Sequence, residues 1–129
     1  MKDIFKGILA GFIIALGALA FGIIAYAGGM GYKALGAFMF SMGLCAICEE
    51  QLNLVTGKFG LFYEGSWNLR KILLIFVANL FGVFLVYCIR ALDAQPNLVV
   101  EAMNPIVVAR DSKLWYQHIF SGILCGACI

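Results

Sequence analysis

Glu49, Glu50, Gln51 and Asn53 interrupt an otherwise apolar run from Phe38 to Gly60, FMFSMGLCAICEEQLNLVTGKFG. A helix in lipid satisfies its own backbone, so a polar break at membrane depth costs several kcal/mol unless it faces protein or water. Interrupted helices present backbone dipoles and polar side chains to a small solute near the bilayer midplane. The chemistry such residues could do is therefore passage of something small and polar. Glu49 and Glu50 are the most costly members, and two roles are open to them. One is proton handling. The other is structural, with one carboxylate accepting hydrogen bonds from N–H groups around Leu52 to Thr56 and the other reaching the interface. Asn79, alone in a long apolar segment, is placed to bond across helices or cap the loop.

Other reactive residues give less. Cys45-x-x-Cys48 and Cys125-x-x-Cys128, with Cys88 left over, have zinc-like spacing. Both pairs lie in apolar stretches without compensating charge, so they read as packing residues and no metal site is expected. The one histidine, His118, reads as an interfacial residue. With a single histidine and few carboxylates, no nucleophile–base pair, phosphate loop or metal-ligand set can be assembled. An enzyme is not expected, nor a cofactor. A net charge of +2 with no basic run gives no reason to expect nucleic acid.

The elements that must carry these residues are membrane helices. The chain is 64% hydrophobic and 12% charged, with a mean hydropathy of +0.98, far from soluble composition. Residues 4–26 predict a first span, followed by a glycine-rich turn at Gly28, Gly29 and Gly31. Its apolar run, about 25 residues, exceeds the usual 7–15 of a signal core, so it reads as a retained helix. Residues 34–63 predict a broken helix: a rod from 34 to about 49, too short to cross, then a non-helical loop over 50–56 and a short restart. Residues 70–92 predict another full span, and 93–117 a polar-amphipathic connection carrying Pro96 and Pro105. Residues 116–129 begin a further span that stops short of the roughly 20 residues a crossing needs. Gly7/Gly11 and Ala18/Gly22 on the first helix, and Gly36 and Gly43 on the second, allow close packing of a bundle. In the two shorter connections, lysine and arginine favour a cytoplasmic N-terminus in the plasma or inner membrane.

Four segments occur in an order that resembles the formate/nitrite transporter family. These are Gly36-Ala37-Phe38-Met39-Phe40-Ser41-Met42-Gly43-Leu44, then Asn53-Leu54-Val55-Thr56-Gly57-Lys58, Ala78-Asn79-Leu80-Phe81-Gly82, and Gly122-Ile123-Leu124-Cys125. The resemblance implies an aquaporin-like protomer of six segments in two inverted repeats, each with one broken helix, assembled as a homopentamer. It implies passage of small monovalent anions such as formate, nitrite or hydrosulfide, with or without an accompanying proton. The matched segments correspond to the first repeat and the start of the fourth segment, about half of such a protomer. The family's central pore histidine would lie in the second broken helix, and His118 does not match it.

The same resemblance assigns roles. Phe40 and Leu44, one turn apart, match the outer constriction, although spacing alone favours ordinary packing. Leu54 and Val55 match the inner constriction, and Thr56 offers a hydroxyl to the anion. Val55 stands where an aromatic is usual, and Asn53 replaces an acidic residue; Glu49, Glu50, Asn53 and Asn79 support the loop. Twelve residues before Gly122, where the family has a lysine, stands Arg110, followed by Lys113; either attracts an anion to the outer mouth. Arg110 will not release a proton as a lysine can.

The expectation is an all-α membrane channel or transporter for small monovalent anions. The competing class is a non-transporting membrane interaction protein derived from such a transporter.

Overall fold

A computed structural model describes residues 2–28, 30–58, 68–92 and 96–127. The described residues are helical apart from short turns. Five long helices follow in order: α1 (Lys2–Ala27), α2 (Met30–Glu49), α3 (Leu69–Ala91), α4 (Pro96–Asp111) and α5 (Trp115–Ala127), and residues 55–58 are helical again after a break. Three of them, over Lys2–Ala27, Gly31–Glu49 and Leu69–Ala91, are long and apolar enough to cross a membrane.

Two expectations change. The second helix is not short: it begins at Met30 and runs 20 residues, about 30 Å at 1.5 Å per residue. Gly31, read as part of a turn, joins its first turn, and a Cβ there would meet nothing within 4 Å. The segment after α3, read as a connection, is largely a 16-residue helix with Pro105 inside it. Proline lacks the N–H that would bond the Glu101 carbonyl, so α4 tolerates one missing rung.

α1 is the hub, packed along both α2 and α3 and touched by α4. Its small residues explain how one helix serves three neighbours. Towards α3, a Cβ on Gly11 would run into the backbone of Asn79, and one on Gly82 into the carbonyl of Ile8. Towards α2, Gly17 lies under Phe40 and Gly36 lies against Phe21. Towards α4, Gly22 faces the thioether of Met103. Helix axes approach closely where no side chain separates them, and in lipid that dispersion contact replaces the hydrophobic effect as the packing force. The opposite face of α3, with Leu73, Val77, Leu80 and Phe84, is exposed and apolar, as a surface against acyl chains requires.

Candidate functional site

The site begins with the way α2 stops. Leu52 N–H donates to the Ile47 carbonyl at 2.9 Å, and Gln51 N–H to that of Cys48 at 3.1 Å. These are the two bonds of a Schellman stop, which needs a left-handed residue between helix and loop. Gln51 supplies it at φ 49°, a conformation that an L-residue other than glycine adopts at a cost of about 1 kcal/mol or more. Leu52 then folds back into a cluster with Ile47 and Ala10, the apolar contact that accompanies this motif. Lys6 Nζ donates to the Gln51 carbonyl at 3.4 Å, placing a cation on the negative end of the helix.

Past the stop, the chain is pinned by two asparagines. Asn79, buried in α3, accepts from Val55 N–H through Oδ1 at 3.0 Å. Its Nδ2 donates to the Asn53 carbonyl at 2.9 Å and to the Gly7 carbonyl at 2.7 Å. One carboxamide thus answers a loop donor and a loop acceptor and ties both to α1. Asn53, also buried, donates through Nδ2 to the Asp3 carbonyl at 3.2 Å and to Asp3 Oδ1 at 3.4 Å. Leu54 N–H closes a tight turn onto the Leu52 carbonyl at 3.1 Å. Residues 52–54 are therefore outside helix, whereas Val55 and Thr56, read from sequence as loop, already belong to the helical stretch 55–58.

Beneath the break lies a cavity of about 540 Å³, lined by Leu44, Ile47, Cys48, Gln51, Leu52, Leu54, Thr56, Gly57 and Lys58. It brings together Leu44, Leu54 and Thr56 from the sequence-derived set. Val55 is half-buried, with its N–H held by Asn79. Phe40 is half-buried one turn from Leu44, with its ring against Gly17 of α1. Glu49 and Glu50 end α2 with exposed side chains. Asn79, Asn53 and Lys6 bond in and around the loop through their side chains.

A second cavity, about 570 Å³, opens at the other end of α1. Phe21, Gly22, Ala25 and Tyr26 form its α1 wall, Ala102, Pro105 and Ile106 its α4 wall, and Lys33, Arg110 and Lys113 supply charge. Arg110 and Lys113 thus share one cavity, and Lys33 from the first turn of α2 joins them. Lysine 33 had only a topological meaning in the sequence, because nothing in its spacing links it to residues nearly eighty positions on. The two cavities lie about 30 Å apart along α1, from Lys6 to Tyr26 at 1.5 Å per residue, close to the hydrocarbon thickness. His118 is exposed on α5, remote in sequence from either asparagine pin.

Compared with known proteins, residues 1–129 match the family model described as Formate/nitrite transporter. No curated protein and no solved structure matches the chain.

Proposed function

The chain belongs to the formate/nitrite transporter family, and we propose that it conducts a small monovalent anion, of the formate, nitrite or hydrosulfide class, across a cell membrane. The observation that carries this reading is the break after Glu49, held open by Asn79 and Asn53 above a cavity lined by Leu54 and Thr56. Backbone leaves helix at membrane depth only where it is satisfied by protein or lines a wet passage. Here the loop backbone is satisfied by Asn79, and the cavity beside it supports reading the same stretch as the lining of a passage.

In this reading, Leu54 and Val55 form the inner constriction and Thr56 offers its hydroxyl to the anion. Phe40 and Leu44 form the outer constriction, where shedding water in an apolar ring rejects hydrated ions. Arg110 and Lys113 draw the anion to the outer cavity. The segments take the part of the first inverted repeat in an aquaporin-like, six-segment protomer, five of which assemble. The N-terminus is cytoplasmic, which puts the Leu54–Thr56 cavity on the inner side of the Phe40–Leu44 constriction, with Leu44 on their shared wall, and the Arg110–Lys113 cavity on the outer side. Glu49 and Glu50, at the end of α2, flank the inner cavity, and a proton accompanying the anion would meet them there.

Uptake into liposomes tests the reading. Vesicles carrying the full chain take up formate, nitrite or hydrosulfide faster than protein-free vesicles, while a larger anion such as gluconate stays out. Flux equal to protein-free vesicles for all three small anions refutes it.

A further inference from the structure

The outer cavity holds more fixed charge than Arg110 and Lys113 alone. Lys33 enters from the first turn of α2, Arg110 from the last turn of α4, and Lys113 from the turn before α5. A lysine in the first helical turn opposes the helix dipole, so the stability of α2 gives no reason for it. On the same side, Tyr26, which lines the cavity, donates its hydroxyl to Glu101 Oε2 at 3.3 Å. Glu101 directly precedes Ala102 and lies one turn before Pro105, both on the cavity wall. The carboxylate is thereby fastened toward α1. Asp111, beside Arg110, is exposed.

We propose that Lys33, Arg110 and Lys113 form a capture site for small monovalent anions, and that Glu101, tethered by Tyr26, is the counter-charge that keeps capture weak. The inference rests on the transport reading and adds Lys33, Glu101 and Tyr26 to it. Throughput needs an anion to be drawn in and then released, so a cation cluster without opposition would hold its ligand too long. The walls between the charges are apolar, which lets each charge act over the cavity with less screening than in open water. The tether sets the sign of each substitution. Glu101→Gln removes the counter-charge and strengthens capture. Tyr26→Phe releases the carboxylate to pair with the cations and weakens it.

Two readouts test this on the full chain in liposomes. The first is iodide quenching of Trp115, two residues from Lys113, in a Trp67→Phe background, expressed relative to quenching by neutral acrylamide. The second is the half-saturating concentration of formate. A unit charge about 8 Å away in a water-like medium changes local anion concentration roughly two-fold. Lys33→Gln therefore lowers the iodide-to-acrylamide ratio and raises half-saturation by roughly two-fold. Glu101→Gln does the opposite, Tyr26→Phe follows Lys33→Gln, and Lys33→Arg stays at the wild-type value. The differences vanish near 1 M salt, where the Debye length falls to about 3 Å. An unchanged ratio in both Lys33→Gln and Glu101→Gln overturns the proposal, whatever the flux. If the ratio moves as stated while wild-type vesicles pass no formate, the capture site stands and the transport reading fails.

Discussion

Asn79→Leu is the substitution that asks most directly whether the break is held as described. Leucine keeps the size of the side chain and removes three hydrogen bonds: those to the Asn53 and Gly7 carbonyls and that from Val55 N–H. The three are not equal. The Gly7 carbonyl lies within α1 and keeps its intrahelical partner, so its loss is small. Asn53 O and Val55 N–H belong to the unwound stretch and have no helix to fall back on. A buried group left unsatisfied costs about 1–3 kcal/mol, which puts the two together at roughly 2–6 kcal/mol. Interhelical bonds in membrane proteins average only about 0.6 kcal/mol when the partners find substitutes, a lower bound of roughly 1–2 kcal/mol for the three. The structure favours the upper range because Asn79 is buried and is clasped between α1 and the loop. Melting in detergent micelles should therefore drop clearly, and anion flux should fall as residues 52–56 lose their fixed path. Asn79→Asp is the informative companion: it keeps the acceptor for Val55 N–H but turns an oxygen toward two carbonyls, so it should be at least as damaging. A leucine variant that melts and conducts like wild type would refute the idea that this carboxamide organises the passage.

Three further outcomes follow from the same geometry. Gly82→Val should destabilise by about 1–3 kcal/mol, the usual range for overpacking, because its Cβ meets the Ile8 carbonyl, whereas Gly31→Ala, with open space around it, should be near neutral; paired melting curves decide. Gln51→Gly should raise the melting temperature, since it removes a left-handed penalty of about 1–2 kcal/mol against a glycine entropy loss of about 0.5–1 kcal/mol, and unchanged or lower stability would contradict the Schellman stop. Cys45 and Cys48 are both exposed on α2, and of the two Cys48 lines the Leu54–Thr56 cavity; a bulky, charged thiol reagent should block flux in wild type and not in Cys48→Ser, and block that persists in Cys48→Ser would remove Cys48 from the pathway.

The long helices were legible because their signal is collective: some twenty apolar residues in a row outweigh any local ambiguity, and the ends of α1 and α3 fall within a residue or two of the sequence reading. The start of α2 was misread because Gly28, Gly29 and Gly31 look like one turn. Glycine at a helix start is tolerated when the next turn, with Tyr32 over Gly28, packs without it. The length of α4 was hidden by Pro96 and Pro105. The first sits at a helix N-terminus, where proline is at home, and the second removes only one bond. Asn79 could be singled out because an amide in an apolar span needs partners. Which partners it takes depends on where α1 and the loop meet, and no spacing rule carries that. Lys33 shows the same limit: its neighbours Arg110 and Lys113 are brought by the packing of α4 on α1.

The placement of charge follows one physical logic. α1 carries no lysine, arginine, aspartate or glutamate from Gly7 to Ala27, and the two groups that fix the break are neutral carboxamides. A carboxylate at position 79 would still accept from Val55 N–H, but it could donate to neither carbonyl, and at either position a carboxylate would set a permanent negative charge beside the proposed path of the anion. At about 4 Å and an effective dielectric of 20, a unit charge is worth about 4 kcal/mol, enough to slow passage by orders of magnitude. Asn53 and Asn79 hold the loop through dipoles that both donate and accept, and dipoles cost an anion far less than a full charge. Fixed cations then stand at the two ends, Lys6 and Lys58 beside the cavity that the proposed orientation puts inside and Lys33, Arg110 and Lys113 on the one it puts outside. On the transport reading, attraction acts where water still screens it and is absent where screening is lost, so an anion would be gathered at each mouth without being trapped between them. Replacing Asn53 by aspartate tests this division: it loses the donor to the Asp3 carbonyl and carboxylate and sets a second carboxylate against Asp3, so inward and outward anion flux both fall, and fall further than in Asn53→Leu, which loses the same donor without adding charge. Flux equal to wild type in Asn53→Asp would show that the charge of this pin is irrelevant to permeation.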